Sequence, residues 1–176
     1  MDGFELCHPV DSANFLRIQE AIAGENPTSQ WSPMPVHLIG RDNAKSLTRS
    51  SAPSLGAFLL VLRPEVVLAM GDILSTSSEL LTLRAPALTL FLINPKATLD
   101  VLDPERSEVV RFASGRLMRV TKWVLKGTAL PECDVFKVAG FRVSPPVVSE
   151  RFVQRWQECG FQGLEFRQLE HAVAGA

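Results

Sequence analysis

Three of the four carboxylates in the segment LDVLDPERSE lie close together, and of all the residues in the chain they are the best candidates for chemistry. Asp100, Asp103 and Glu105 could bind a divalent cation through oxygen, or share general acid and base roles in a hydrolase. Their spacing differs from the D-x-D-x-D-G pattern of a calcium loop. Asp103 followed by Pro104 is also typical of a turn, in which the carboxylate accepts a backbone hydrogen bond. We therefore predict a turn with an exposed acidic surface that a basic partner could contact.

The histidine, cysteine and serine residues are weaker candidates for a site. The histidines are His8, His37 and His171, and the cysteines are Cys7, Cys133 and Cys159. Their wide separation excludes the CxxC spacing of a zinc site. The odd number of cysteines does not suit a disulfide framework. Ser149 lacks the G-x-S-x-G frame of a hydrolase nucleophile, and it precedes a helical pattern, which favours a helix-capping role. We therefore predict reduced thiols, no catalytic residue, no metal and no cofactor.

The composition is that of a folded, soluble protein. The chain has 176 residues, of which 46% are apolar, so one domain spanning residues 1–176 can bury a core. A net charge of −1 argues against a general nucleic-acid binder, because phosphate contacts require a basic excess. The longest apolar run, AFLLVL, is too short to cross a bilayer, and the acidic start MDGFELCHPV lacks the basic region of a secretory signal. We therefore expect a cytoplasmic protein that binds neither nucleic acid nor membrane.

Charge is distributed unevenly along the chain. Acids dominate residues 1–30, whereas bases dominate residues 106–126, where Glu108 is the only acid. The bases of the second stretch are Arg106, Arg111, Arg116, Arg119, Lys122 and Lys126. Two faces of opposite sign would suit a protein partner, although such runs are more often simply solvated strand faces. The polar, serine-rich segment 40–56, which contains Arg41 and Asp42, has the composition of a mobile loop.

The pattern of elements indicates an α+β fold. A helix at 12–24 precedes a series of strand patterns. These patterns include AFLLVL at 57–62, ALTLFLI at 87–93 and DVFKV at 134–138. Pro64 fits the first turn of a short helix that ends before Gly71, and Ser114-Gly115 marks a tight hairpin. Near the end, a helix capped by Ser149 is followed by the half-buried strand pattern LEFRQL. Because strands outnumber helices and do not alternate with them, we predict a mainly antiparallel sheet, a few flanking helices and a C-terminal helix–strand unit.

Three blocks of the sequence resemble segments of a known family. The blocks are LDPERSEV at 102–109, CDVFKVAG at 133–140 and VVSERFVQRWQECGFQGLEF at 147–166. They are similar to the D-x-E-x-S segment, the D-[LIV]-F-R segment and the V-S-E-R-F … G-x-x-G-L-x-F ending of the myxobacterial-type immunity protein family of bacterial polymorphic toxin systems. The resemblance runs from about residue 57 to about residue 167, and residues 1–56 match more loosely. The third block is the most specific, and we expect all three to build the framework of the fold rather than a binding site.

The resemblance implies an immunity protein, which would bind a cognate toxin and block it stoichiometrically by occlusion, without turnover. No catalytic residue follows from it. We expect the toxin contacts in exposed charged loops, at Asp100, Asp103 and Glu105 and at Arg41 and Asp42. Two alternatives remain open: a small hydrolase that uses the same three carboxylates, and an interaction module that does not inhibit its partner. A convergent polar pocket would favour the hydrolase.

Overall fold

The computed structural model describes residues 3–24, 28–42, 45–56, 58–126, 133–142 and 144–172. Within these residues the chain forms four α-helices, fourteen short strands and one turn of 3₁₀ helix at Thr28–Gln30. The helices are α1 (Ala13–Ala23), α2 (Pro64–Ala69), α3 (Gly71–Ser77) and α4 (Glu150–Glu158). The strands are β1 (Leu6–Pro9), β2 (Met34–Ile39), β3 (Arg41–Asp42), β4 (Lys45–Ser46), β5 (Val61–Leu62), β6 (Ser78–Arg84), β7 (Thr89–Pro95), β8 (Ala97–Leu99), β9 (Glu108–Arg111), β10 (Leu117–Lys122), β11 (Val124–Leu125), β12 (Val135–Val138), β13 (Val147–Val148) and β14 (Glu170–His171).

The largest sheet has five strands in the order β1–β2–β6–β7–β5. Its centre is the antiparallel pair β6–β7, which runs in register from Ser78 opposite Pro95 to Arg84 opposite Thr89. The outer pairs β1–β2 and β5–β7 are also antiparallel, whereas β2 joins β6 in parallel. The predominance of antiparallel pairing confirms the predicted α+β class.

Apolar residues fill both faces of this sheet, because helices cover it on both sides. Leu90 and Leu92 of β7 belong to one cluster with Ile18 and Ile22 of α1. Ile93 packs in a second cluster with residues from the other three helices. These residues are Val66, Ile73, Leu74, Phe152 and Trp156. The nearly continuous apolar sequence of β7 follows from this arrangement, since successive residues of a strand point to opposite faces.

Smaller sheets extend the fold through the C-terminal half. β12 pairs with β8 in parallel and with β13 in antiparallel orientation, while β9 and β10 form a separate antiparallel hairpin. β11 and β14 pair in parallel, which returns the end of the described chain to its middle. The inner face of the β9–β10 hairpin packs through Leu117 and Val120 on Phe141 and Trp123. One face of this hairpin is therefore anchored, and the other faces solvent.

Several element predictions are wrong in detail. The short helix from Pro64 does end before Gly71, as predicted, but a further helix that was not predicted, α3, begins at Gly71. In the pattern AFLLVL, residue 57 lies outside the described residues, and of residues 58–62 the last two form a strand, β5. The pattern LEFRQL at 164–169 is not a strand, and the strand of this region, β14, begins one residue later. Leu164 and Phe166 nevertheless pack against the second core cluster, so the predicted half-buried character is correct.

The second half of the segment 40–56 is packed, whereas the residues of β3 and β4 in its first half are exposed. Ser50 is fully buried and Leu55 is nearly so, which is unusual for residues of a mobile loop. The backbone N–H of Cys7 donates to the Ser54 carbonyl at 2.8 Å, and this bond joins the segment to β1. Residues 50–55 are thus held against the rest of the fold, and the mobility predicted for the segment stays a prediction.

Candidate functional site

The predicted acidic turn forms, and Asp103 is used by the turn itself. Its Oδ1 atom accepts hydrogen bonds from the backbone N–H groups of Glu105 and Arg106, both at 2.9 Å. The backbone N–H of Ser107 donates to the Asp103 carbonyl at 3.1 Å and closes the turn. This is the local carboxylate-to-backbone bonding that the Asp-Pro pair predicts.

Ser107 fastens the acidic turn to β11. Its buried hydroxyl donates to the Val124 carbonyl at 3.0 Å and accepts from the Val124 N–H at 3.1 Å. The Asp103 N–H donates to the same carbonyl at 2.8 Å. Asp103 and Ser107 of the D-x-E-x-S pattern therefore build the turn, and Glu105 between them is left exposed.

Asp100 and Glu105 present their charge to solvent. Asp100 Oδ2 forms an ion pair with Lys126 Nζ at 2.8 Å, and 80% of the Asp100 side chain remains exposed. Across the described part of the chain, no three His, Cys, Asp or Glu side chains are grouped so that they could hold a metal ion. The three predicted carboxylates are thus neighbours on one exposed turn and do not form a cation site.

The other two predicted contact residues lie on a separate element. Arg41 and Asp42 form β3, in which both are exposed. They pair with β4, where Arg41 lies opposite Ser46 and Asp42 lies opposite Lys45. The two groups of predicted contact residues therefore lie on different elements, one on the acidic turn and the other on the β3–β4 pair.

Side chains of the second and third blocks hold each other. Asp134 accepts hydrogen bonds from the Ser149 hydroxyl at 2.5 Å and from Arg151 at 2.9 Å. Arg151 also pairs with Asp72 in the first turn of α3 at 2.5 Å. Ser149 caps α4, because its hydroxyl accepts from the Phe152 N–H at 3.2 Å. These contacts position α4 on the core, so the residues that form them have a structural role.

Lys137 of the second block performs a comparable task at the end of α1. Its ammonium group donates to the Ile22 carbonyl at 2.5 Å, and a cation at the C-terminus of a helix is favoured by the helix dipole. Burial lowers the pKa of Lys137, and the nearby Glu79 carboxylate opposes that shift. The second block therefore connects β12 to both α4 and α1.

A buried ion pair between Glu5 and Arg63 is the main polar feature that the sequence reading missed. Arg63 is 5% exposed, and its Nη2 atom lies 2.6 Å from Glu5 Oε2. Arg63 Nε donates to the Ser50 carbonyl at 2.7 Å, and the Ser50 N–H donates to Glu5 Oε2 at 3.1 Å. An arginine that interrupts an apolar run before a proline was the available signal. Because Glu5 points inward, the acidic start of the chain does not present all its acids as a surface.

The histidines and cysteines do not form a site among the described residues. His8 and His37 face each other across β1–β2 with ring centroids 6.2 Å apart, and no third ligand joins them. All three cysteines are free: Cys7 is buried, Cys133 is half-buried and Cys159 is exposed. Burial raises the pKa of the Cys7 thiol to about 12, which keeps it protonated and unreactive at neutral pH.

The described structure contains an apolar crevice of about 160 Å³. Phe58, Phe152 and Phe166 contribute to its wall, and Ser54 and Glu165 are the polar residues that line it. A hydrolase site requires several convergent polar groups within a pocket. The crevice does not supply that arrangement, and the three carboxylates of the acidic turn are not part of its lining.

Neither of two comparisons with known proteins found a match to the chain. No model of a known protein family matches the chain. No curated protein matches it significantly. Among the described helices, none is both long enough and apolar enough to cross a membrane. The resemblance of the three blocks to the immunity protein family therefore rests on their sequence patterns alone.

Replacing Ser149 by alanine should destabilise the protein by about 1–2 kcal/mol, because α4 loses its cap and Asp134 loses a hydrogen bond. Urea unfolding followed by tryptophan fluorescence measures this loss, since Trp156 lies on α4. Ser149→Thr is the matched control, because it keeps the hydroxyl, and it should unfold close to the wild type. Equal midpoints for the alanine and threonine variants would contradict the capping role.

Proposed function

We propose that this chain is an immunity protein that binds a cognate bacterial toxin and neutralises it by stoichiometric occlusion. The observation that carries the proposal is the bonding of Asp134 to Ser149 and Arg151. Residues of two blocks that resemble the family hold one another in space, as a shared framework requires.

The mechanism we propose needs no chemistry from the chain. An interface of standard size covers about 800 Å² of each partner, enough to close the active site of a toxin by contact. Complementary charge would speed the encounter, and a few buried anchors would slow the dissociation. We place the encounter in the cytoplasm, where the three free thiols remain reduced.

The two alternative functions have less support. A hydrolase based on the acidic turn would need Asp103 as an acid or base, but Asp103 Oδ1 accepts two backbone hydrogen bonds within the turn. Asp100 is paired with Lys126 on the surface. An interaction module without inhibitory activity is distinguished from an immunity protein by the effect of the chain on a toxic partner.

Co-expression with the product of the adjacent gene in a sensitive host tests the proposal. We expect growth to be rescued when both proteins are present, and the two proteins to co-purify in equal amounts. A stable complex without rescue would point to the non-inhibitory module. If growth is not rescued and no complex forms, the proposal is overturned. The next experiment would then be an assay for hydrolytic activity that depends on the Asp100–Glu105 turn.

The predicted contacts at the acidic turn can be tested by charge reversal at Glu105. Glu105 is exposed, and its replacement leaves the bonds of Asp103 and Ser107 in place, so Glu105→Lys should fold normally. We expect binding of the adjacent gene product to weaken about tenfold, mainly through slower association. Asp103→Lys is unsuitable for this purpose, because it would also break the turn.

Glu165→Lys is the matched control for Glu105→Lys, because Glu165 is an exposed acid elsewhere on the chain. The same comparison applies to Arg41→Glu and Asp42→Lys on β3, which test the second predicted group. If Glu105→Lys binds as tightly as Glu165→Lys at low ionic strength, the acidic turn is not a contact.

A further inference from the structure

The β9–β10 hairpin is rich in exposed arginine. Arg111, Arg116 and Arg119 are all exposed, and none of the three pairs with a carboxylate among the described residues. Arg111 instead donates to the Gly115 carbonyl at 2.9 Å, and the Arg116 guanidinium lies 5.7 Å from the centre of the Phe112 ring. Three unneutralised guanidinium groups are thus held on a short hairpin.

Large apolar side chains accompany these arginines at the surface. Phe112 is 46% exposed, Met118 is 50% exposed and Val110 is 36% exposed. The other face of the hairpin is buried against Phe141 and Trp123, so the exposed set is presented on an anchored support. Aromatic, methionine and arginine side chains are the types enriched at protein interfaces, where they act as binding anchors.

We propose that the exposed face of the β9–β10 hairpin is the main docking surface of this protein, and that its occupant is an acidic surface of the partner protein. This inference rests on the proposed function, since the partner is the toxin named there. The Arg116 and Arg119 guanidinium groups are complementary to carboxylates, which can accept paired hydrogen bonds from each fork, and Arg111 lies at the edge of this face, opposite the buried Leu117. Phe112 and Met118 would supply the desolvated centre of the contact.

Other occupants fit this face less well. Single-stranded nucleic acid requires several aromatic rings for stacking, whereas the hairpin has Phe112 alone, and Arg116 already lies over its ring. A symmetric contact with a second copy of the chain would bring like charges together. Addition of a partner strand to the edge of β10 is opposed by register shifts after Leu117 and after Val120, because bulges disrupt edge pairing.

The hairpin also continues the surface on which the acidic turn lies. The turn ends at Ser107, and β9 begins at the next residue. Three carboxylates cover too little area for a stable interface, which needs about 800 Å² of each partner. A partner with an acidic patch beside a basic one would match the hairpin and the turn together, and this pattern of two signs would fix the orientation of docking.

The double variant Arg116→Glu/Arg119→Glu tests this inference on the full chain. Binding of the product of the adjacent gene is measured by surface plasmon resonance at low and at physiological ionic strength. We expect affinity to fall about 100-fold at low salt, with a large part of the loss in the association rate. Phe112→Ala should weaken binding about 30-fold, mainly through faster dissociation.

The matched control is Arg17→Glu/Arg84→Glu, which changes the net charge equally at two exposed arginines outside the hairpin. We expect it to bind within about threefold of the wild type, since remote surface charges act only through screened interactions. Thermal unfolding establishes that each variant is folded. Each experiment includes a labelled single-stranded oligonucleotide as a second probe and light scattering as a measure of self-association.

The possible outcomes separate this inference from the proposed function. If the wild type and the hairpin variant bind the partner equally well, the docking surface is overturned and the proposed function stands. Absence of a complex with the wild-type chain overturns both. Tight binding of the single-stranded oligonucleotide, lost in the hairpin variant, would assign the surface to nucleic acid. A wild-type dimer that the hairpin variant cannot form would assign it to self-association. Either of these last results also overturns the acidic protein occupant.

Discussion

Replacing Gly163 by alanine should destabilise the protein by about 3 kcal/mol or more, which is a large part of the stability of a typical domain. A Cβ atom at this position would lie 1.8 Å from Ser50 Oγ and 3.0 Å from Ser50 Cβ. Ser50 is fully buried and its hydroxyl accepts from the Ala52 N–H at 3.0 Å, so it cannot move aside cheaply. The backbone of Gly163 also has a φ of +100°, which side chains rarely adopt.

Gly160→Ala is the control that separates close approach from backbone strain. Gly160 also has a positive φ, of +66°, but no atom lies within 4 Å of the position that a Cβ would occupy. We expect it to cost only about 1 kcal/mol, and urea unfolding of the two variants measures the difference. Adding Ser50→Gly to Gly163→Ala should recover part of the lost stability. Equal destabilisation by the two single alanine variants would show that the contact with Ser50 is unimportant.

The Gly163 contact illustrates what the sequence could not predict. The third block, with its two glycines, correctly indicated a helix end and a turn, because those are local properties of the chain. Position 163 excludes a side chain because Ser50, which is far away in the sequence, packs against it. Ser50 belongs to a segment whose polar composition is typical of an exposed loop. Composition reports polarity, and it does not report which polar residues are buried by a tertiary partner.

Local rules succeeded elsewhere for the same reason. The cap by Ser149, the turn of Asp103 and the hairpin at Ser114-Gly115 each depend on residues within a few positions of one another. The helix α3 and the strand β6 were missed because Gly71 was taken as a helix end and because β6 carries polar residues at both of its ends. Tertiary packing decided both elements against the local signal.

The candidate site divides in the same way. The exposure of Asp100 and Glu105 follows from the turn chemistry of the sequence, and their position at the surface was predicted. The sequence shows the arginines of the β9–β10 hairpin as part of a basic run, but it does not indicate which members of the run form ion pairs with carboxylates. Lys122 and Lys126 pair with Glu170 and Asp100 respectively. In contrast, Arg111, Arg116 and Arg119 form no ion pair with a carboxylate among the described residues.

Replacing Arg63 by methionine should cost about 3–5 kcal/mol, because it leaves Glu5 as an unpaired, largely buried carboxylate. The change also removes the donor to the Ser50 carbonyl, which Arg63 Nε contacts at 2.7 Å. Methionine fills a volume similar to that of the arginine stem, so the loss measures the polar contacts more than the packing. Chemical unfolding at neutral pH gives the free energy directly.

A double-mutant cycle with Glu5→Gln shows whether the two side chains act as a unit. Glu5→Gln removes the charge but keeps an acceptor for the Ser50 N–H, so alone it should cost less than Arg63→Met. In the double variant no unpaired buried charge remains, and we expect the total loss to be smaller than the sum of the single losses by about 1–3 kcal/mol. Arg49→Met is the control, because its ion pair with Glu65 is exposed on both sides and should contribute less than about 1 kcal/mol. Strictly additive losses would mean that Glu5 and Arg63 stabilise the fold independently, and the segment around Ser50 would then be held by its apolar neighbours rather than by this pair.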